Sequence, residues 1–353
     1  MRAYIGIDVS CAKKKRCPIS ICIKKDGRLV PLFLANRIPK PPMGFGNAKT
    51  LEDESNIAYS DTVKDYIVDV CNEYNLTPIR IAIDAPLVPK QNGLKRRVAE
   101  QALDARKISC YATPSQSEFN TIINKGRMHL KTGGEVTRLY NSHQIFMLAG
   151  FAIYQALKGL AECIEVFPHA TAKILGTASK HKTMGNQAYI QLRAMSQYTG
   201  WPATEKEWDK VKDICSGDLH DKVDAYGAAW IASLDDNQRE VLGEVSSNDA
   251  IFLPCLETLE KFKLPPVADT KLGTQEKPKT EPISEPVFVN KDFSQNDESS
   301  YSKNCPACRQ FVFKRWPWGW DAHAAHKCLG LTSDDPIARK HEYKRKYLQK
   351  ASD

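Results

Sequence analysis

The chain has 353 residues, enough for one large domain or two of ordinary size. Hydrophobic residues make up 42% of it and charged residues 26%, which is typical of a soluble globular protein, and the net charge of +8 permits a polyanionic partner without requiring one. Its longest largely apolar stretch, residues 145–157, is too short to cross a bilayer, and residues 1–10 contain no signal-peptide pattern. Most of the eleven cysteines are scattered singly, unlike a disulfide framework. We therefore predict a cytoplasmic protein with no membrane partner.

Residues 1–263 alternate between strand-like and helix-like patterns. The first three predicted strands form a meander, and two later ones are buried, at residues 4–9, 18–24, 29–34, 79–84 and 163–167. The predicted helices have apolar residues at helical spacing, at residues 61–74, 142–159 and 219–234. A meander followed by alternating helices and strands predicts one α/β domain, built on a mixed sheet that is flanked by helices.

Residues 264–302 break this pattern. They are rich in Pro, Glu, Lys, Ser and Thr and poor in apolar residues. Such a composition cannot bury enough surface to offset the entropy of ordering, so we predict a disordered linker. Residues 303–353 follow as a separate small module with a basic tail, in which eleven Lys and Arg outnumber five Asp and Glu.

The C-terminal module carries the pattern Cys-x2-Cys-x14-His-x4-Cys. Sulfur and imidazole ligands in two close pairs make the tetrahedral set that Zn²⁺ prefers. The module is too short to fold on an apolar core alone, which favours a structural zinc. The predicted ligands are Cys305, Cys308, His323 and Cys328, with His326 as the alternative fourth ligand. Its interleaved rings and cations suit nucleic-acid contact or a small core with a solvated charged face, and the module is also a candidate for binding a protein partner.

Acidic residues recur at the ends of the predicted strands and on the last helix. Asp8 ends the first strand, Asp84 ends the fourth, and Glu165 lies in the fifth. Asp221 and Asp224 are three residues apart and share one face of the Ala-rich helix. Carboxylates gathered from these elements would repel one another unless divalent cations neutralise them, and oxygen ligands favour Mg²⁺ or Mn²⁺.

Two such ions about 4 Å apart are the arrangement that cleaves phosphodiesters. We predict a catalytic site of Asp8, Asp84, Asp221, Asp224 and Glu165, in which Asp8, Asp84 and Asp224 bind Mg²⁺ or Mn²⁺. Each position also has a structural interpretation: Asp84 as a turn residue before Ala-Pro, and Asp221 or Asp224 as a cap at the start of a helix.

Several segments in order resemble the domain-of-unknown-function family 429 (DUF429): GIDVS at 6–10, IAIDAPLVP at 81–89, RRVAEQALDAR at 96–106, YATPS at 111–115, IEVFPHA at 164–170 and LHDKVDAYGAAWIA at 219–232. The resemblance covers most of residues 1–235. The family is regarded as a predicted nuclease with a ribonuclease H-like fold, which implies a five-stranded mixed sheet with helices on both faces.

In the ribonuclease H-like superfamily, metal is held by a first-strand Asp, a fourth-strand acid and acids on a late helix. Those places are matched here by Asp8, Asp84, Asp221 and Asp224, while Glu165 belongs to the family's own EVFP-like motif. The resemblance also marks Arg97, Glu100 and Arg106 as substrate-binding candidates. Arg97 and Glu100 either pair with each other near the site or contact substrate phosphate. The zinc module lies outside the resemblance.

Three functions are compatible with these patterns. The first is a metal-dependent nuclease that hydrolyses phosphodiester bonds in DNA or RNA. The second is a non-catalytic scaffold on the same fold that binds nucleic acid or protein. The third, an actin-like nucleotide phosphotransferase, shares the opening GIDxS pattern, but the sequence lacks the paired-glycine phosphate loop that this chemistry needs.

Overall fold

Short runs of apolar and β-branched residues form one seven-stranded sheet in the part of the chain that the structure describes. The structure is a computed structural model, and it describes residues 1–178 and 186–264. The strands are β1 (Arg2–Asp8), β2 (Ile19–Lys25), β3 (Arg28–Pro31), β4 (Thr77–Asp84), β5 (Glu162–Val166), β6 (Arg239–Glu244) and β7 (Asp249–Pro254). Their order is β3-β2-β1-β4-β5-β7-β6. β1, β4, β5 and β7 run parallel, and β2, β3 and β6 pair antiparallel to their neighbours.

Helices cover both faces of this sheet. Their bounds are α1 (Asn47–Thr50), α2 (Asp53–Glu73), α3 (Val98–Ala105), α4 (Gln116–Lys131), α5 (Ser142–Leu157), α6 (Pro168–Ile174), α7 (Gln187–Thr199), α8 (Glu205–Asp209), α9 (Leu219–Ser233) and α10 (Leu256–Leu259). On one face, α2 and α5 pack over the odd-numbered side chains of β1, such as Ile5 and Ile7. On the other face, α7 and α9 pack over Tyr4 and Ala82. Among the described helices, none is both long and apolar enough to cross a membrane.

Helix α9 lies unusually close to β1 because small residues line the contact. A Cβ atom placed on Gly6 would lie 2.0 Å from the carbonyl oxygen of Ala225 and 2.3 Å from the backbone nitrogen of Ala229. Only glycine allows the backbones to approach to that distance. The close contact fixes the start of α9 next to the carboxyl end of β1.

The predicted α/β class and the mixed sheet flanked by helices are confirmed, but the sheet has seven strands where five were expected. The two additional strands are the β6–β7 hairpin. β7 lies beside β5, where its largely apolar sequence DAIFLP is entirely buried, and β6 forms the edge. The sequence carried a strand signal there, because the apolar run of five residues at 250–254 is typical of a buried parallel strand.

The chain divides into two units, Met1–Leu272 and Gly273–Asp353, and every described residue belongs to the first. The predicted zinc ligands and residues 265–302 of the predicted linker lie outside the described residues; those ligands are Cys305, Cys308, His323, His326 and Cys328.

Candidate active site

Asp8 and Asp84 end two neighbouring parallel strands at the same level of the sheet. β1 and β4 are paired so that Asp8 lies directly beside Asp84, and neighbouring strands are about 4.8 Å apart. Because side chains alternate along a strand, Asp8 shares its face with Gly6, and Asp84 shares its face with Ala82. Both of those small residues pack on the α9 side. The two carboxylates therefore project from adjacent strands toward the helix that carries the other predicted acids.

Burial and the charges of neighbouring carboxylates raise the pKa of both carboxyl groups. The pKa of Asp8 lies well above its ordinary value of 3.8 because of burial and because of the charges of Asp224 and Asp221. Burial also raises the pKa of Asp84, followed by the charges of Asp8 and Asp224. Three carboxylates from three different elements thus act on one another. An acidic group of this kind keeps its charge at neutral pH only at a cost in free energy, unless a cation joins it.

The two acids on α9 have different surroundings. Asp221 closes the first turn of the helix: its Oδ2 accepts a hydrogen bond from the backbone N–H of Asp218 (3.0 Å), and its Oδ1 lies 2.8 Å from Nε2 of His220. The first of these contacts belongs to a capping box, so the structural interpretation applies to Asp221. Asp224, one turn later, is partly exposed and accepts a hydrogen bond from Nε2 of Gln191 on α7 (3.0 Å).

Glu165 projects from the opposite face of the sheet to Asp8 and Asp84. Its neighbours Ile164 and Val166 belong to the core beneath α9, so alternation turns Glu165 toward the other side. Its side chain is 4% exposed. The side chain of Glu165 therefore leaves the sheet on the face away from α9, although its charge still contributes to the raised pKa of Asp84.

A buried arginine neutralises Glu165. Arg97, at the start of α3, donates from Nη1 to Oε2 of Glu165 (2.7 Å) and from Nε to Oε1 of Glu100 (3.0 Å). The backbone N–H groups of Leu87 and Thr113 add further hydrogen bonds to these two carboxylates, at 3.3 and 2.9 Å. Burial raises the pKa of Glu165, and Arg97 opposes this rise. The predicted Arg97–Glu100 ion pair is present, and it is closed to substrate because both side chains are 2% exposed.

Arg106, the third substrate-binding candidate, lies elsewhere. It ends α3 and forms a two-point ion pair with Glu240 of β6, in which Nη1 and Oε2 are 2.6 Å apart. Both side chains are more than one third exposed. β6 is the edge strand, and β5 and β7 lie between it and the strand that carries Asp84.

The chemistry of the cluster suits a hard cation, since every candidate ligand at the strand ends is a carboxylate oxygen. The backbones of Asp8 and Asp84 are already adjacent, and each of these groups would regain an ordinary charge state beside a cation. Within residues 1–178 and 186–264, however, no three His, Cys, Asp or Glu side chains stand together as a group that could hold a metal ion. A metal at this site would require the carboxylates to draw closer.

One protein-family model matches the region of the chain that contains this site. The family model described as "Protein of unknown function (DUF429)" matches residues 6–245, about two thirds of the chain. The chain belongs to the DUF429 family. No curated protein matches it. The matched region of the DUF429 chain contains the carboxylate cluster and the buried Arg97 network, whereas all the predicted zinc ligands lie beyond it.

Sequence reasoning missed one cation at the site of the DUF429 chain. Lys15 lies 3.2 Å from Oδ2 of Asp218 and 3.7 Å from Oδ2 of Asp221. Its pKa is raised, first by the hydrogen bond to Asp218 and then by Asp221, and its charge lowers the pKa of Asp8. The signal was the run Lys13-Lys14-Lys15 soon after β1, but a run of lysines on its own is typical of any solvated loop.

The raised pKa values predict an inverse pH dependence of stability for the DUF429 chain. Without divalent ions, we expect the free energy of unfolding to fall as the pH rises above about 4 and through the raised pKa values of Asp8 and Asp84. In that interval the folded state still binds protons that the unfolded state has released. The loss can reach about 1.4 kcal/mol per pH unit for each group.

The measurement is urea unfolding at a series of pH values, for the wild type and for the Asp8→Asn, Asp84→Asn double variant. The difference between the two curves isolates these groups, and the variant should gain stability relative to the wild type as the pH rises. A difference that does not change with pH would contradict the raised pKa values.

Proposed function

We propose that this DUF429 chain is a divalent-metal-dependent nuclease with a ribonuclease H-like fold, which hydrolyses phosphodiester bonds in DNA or RNA. One observation carries the proposal: Asp8 and Asp84 are paired in register at the ends of adjacent parallel strands, and the charge of Asp224 raises the pKa of both. A strand pair that places two repelling carboxylates side by side is a cost to the fold, and a divalent cation removes that cost.

Asp8 and Asp84 would hold Mg²⁺ or Mn²⁺ from the sheet, and Asp224 would approach from α9. A bound divalent ion supplies an activated water and neutralises charge on the phosphate that is cleaved. Asp224 is suited to this role because it is partly exposed and lies near both strand-end acids. Asp221 has a more indirect part, since its oxygens are occupied by the first turn of α9, by His220 and by Lys15.

Glu165, Arg97 and Glu100 would act as supports, not as ligands. The carboxylate of Glu165 accepts the backbone N–H of Leu87, three residues after Asp84, so this network holds the chain where it leaves β4. Arg97 fixes Glu165 in that position from α3. Such a network positions a neighbouring ligand without contacting the substrate.

The C-terminal module is proposed to bind Zn²⁺ through Cys305, Cys308, His323 and Cys328. In this proposal, the tethered zinc module helps the catalytic domain to engage nucleic acid, and it is also a candidate site for a protein partner. The basic composition of residues 303–353 supports contact with phosphates.

A non-catalytic scaffold that binds nucleic acid or protein is the second candidate. Two observations favour it: Asp221 is used by the start of α9, and no three potential ligands among the described residues stand together as a metal-holding group. In a scaffold, Asp8 and Asp84 would remain as a costly pair without a cation.

The deciding experiment offers the purified full-length chain single- and double-stranded DNA, RNA and branched substrates, with Mg²⁺ or Mn²⁺. A nuclease is expected to cleave at least one of them, with no cleavage when divalent ions are left out. Binding without cleavage of every substrate would overturn the proposal in favour of the scaffold.

A further inference from the structure

A cleft of about 550 Å³ opens beside the carboxylate cluster. Three separate segments form its walls: residues 14–16 between β1 and β2, residues 35–43 after β3, and residues 212–222 up to the first turn of α9. Its size is in the range of ligand-binding pockets.

The cleft is strongly basic. Six of the described residues that line it are Lys or Arg, and three are Asp. Lys14, Lys40 and Lys212 are exposed, one on each wall segment, and among the described residues none of them forms an ion pair. Positive charge that is left unpaired on three facing segments attracts an extended anion more than a single phosphate.

The described lining contains no Phe, Tyr or Trp. Proteins that hold nucleic-acid bases use such rings for stacking, whereas cations alone contact the phosphates and carry no sequence information. The chemistry of the cleft therefore matches a sugar-phosphate backbone and does not match an exposed base.

The cleft is continuous with the candidate active site. Gly217 and Asp221 line the cleft, and a Cβ atom placed on Gly217 would lie 3.2 Å from Cγ of Pro18, whose carbonyl oxygen accepts the backbone N–H of Asp8 (3.1 Å). Lys15, another lining residue, lowers the pKa of Asp8. A backbone that follows the basic cleft would therefore arrive at the strand-end carboxylates.

We propose that this cleft binds the backbone of a nucleic acid in a sequence-independent way and leads it to Asp8 and Asp84. The inference rests on the proposed function for its substrate class. It adds the surface of the domain that binds this substrate and three lysines that contact it. Binding is measured in the absence of catalysis.

The test compares two triple variants of the full-length chain. In the first, Lys14, Lys40 and Lys212 are replaced by Gln. In the matched control, three exposed lysines outside the cleft that form no ion pair among the described residues are replaced by Gln, namely Lys64, Lys131 and Lys158. Both variants lose the same net charge, and thermal unfolding checks that both remain folded.

Binding of fluorescent DNA and RNA oligonucleotides is measured by anisotropy at several salt concentrations, without Mg²⁺ or Mn²⁺. Each phosphate contact contributes about 0.7 to 0.9 to the slope of log K against log salt, so the cleft variant should lose roughly 2 to 3 units of slope. Its affinity at about 0.1 M salt should fall roughly 10- to 100-fold. The control should keep most of its slope.

Equal slopes for the two variants would overturn the inference, even if the chain cleaves nucleic acid. A lost slope in a chain that cleaves no substrate would instead uphold the cleft and overturn the nuclease proposal. Inorganic pyrophosphate and a mononucleotide serve as competitors. If either displaces the oligonucleotide at concentrations near the oligonucleotide's own dissociation constant, the cleft binds a small phosphate ligand and the inference is wrong.

Discussion

Replacing Asp8 or Asp84 by Asn is expected to lower Mg²⁺-dependent cleavage by roughly 10³-fold, because the ion contributes several kcal/mol and each 1.4 kcal/mol is about tenfold in rate. Asn keeps the size of the side chain but removes the charge that would hold the ion. Binding of nucleic acid without divalent ions should be retained, since in the proposed cleft the phosphates would contact other residues. The measurement is single-turnover cleavage, with binding followed by anisotropy.

The matched control is Asp61→Asn, which removes an exposed carboxylate from α2 without touching the site. This variant should cleave like the wild type. In the absence of metal, the Asp8 and Asp84 variants should be at least as stable as the wild type at neutral pH, because the pKa of each removed group is raised in the folded state. Full activity in both site variants would disprove the assignment. Unfolding curves of the same variants check that a loss of activity is not a loss of folding.

Replacing Arg97 by Met is expected to lower the free energy of unfolding by about 3–5 kcal/mol, because it leaves buried charges without a partner. The side chain of Arg97 is 2% exposed, and its guanidinium contacts the carboxylates of Glu165 and Glu100, which are almost as deeply buried. Met retains much of the apolar stem, so the loss reports on charge more than on packing. Urea unfolding at neutral pH measures the difference.

Arg106→Met is the control, since the same substitution there breaks an ion pair with Glu240 at the surface. Its cost should be at most about 1 kcal/mol. Adding Glu165→Gln to Arg97→Met should restore part of the lost stability, because it removes one of the two stranded charges. If the Arg97 and Arg106 variants are equally stable, or if the second substitution restores nothing, the network does not have the structural role that its contacts indicate.

The part of the site that the sequence could predict is the part that depends on strand pairing. Asp8 and Asp84 each follow an apolar run, and the carboxyl ends of neighbouring parallel strands meet at one edge of a sheet. The small residues of α9 are likewise visible in the sequence, and they allow the close contact of the helix with Gly6. These features follow from local periodicity, which a sequence displays directly.

The rest of the site depends on contacts with other elements of the fold that the sequence alone does not show. Glu165 was assigned to the site from its place in the fifth strand, but its strand face turns the side chain away from α9 and toward Arg97, 68 residues away. Asp221 and Asp224 looked equivalent at their i and i+3 spacing, yet the N-cap at Asp218 makes Asp221 part of the helix start. Lys15 gained its importance only when α9 came to lie beside it. Neither the hydrophobic periodicity of the sequence nor its residue propensities reveal these long-range contacts.

The hairpin of β6 and β7 was missed for a different reason. The segment 249–254 had the composition of a buried strand, but it follows the Ala-rich helix where the resemblance to a five-stranded sheet ended. No motif of the resemblance marks this segment, so there was no reason to add strands to the five expected. Here they enlarge the sheet, and Asp249 of β7 accepts the backbone N–H groups of Val98 and Ala99 and so holds the start of α3.

Because Gly6 has no side chain, the proposed chemistry depends on a close spacing between β1 and α9. Because nothing but hydrogen separates β1 from the carbonyl of Ala225, the residue next to it, Asp224, has its distance from the sheet set by backbone contact alone. A single methyl group at that point would push the helix outward and carry the third carboxylate away from the other two. Catalysis would then be lost through spacing, with every acidic residue still in the sequence.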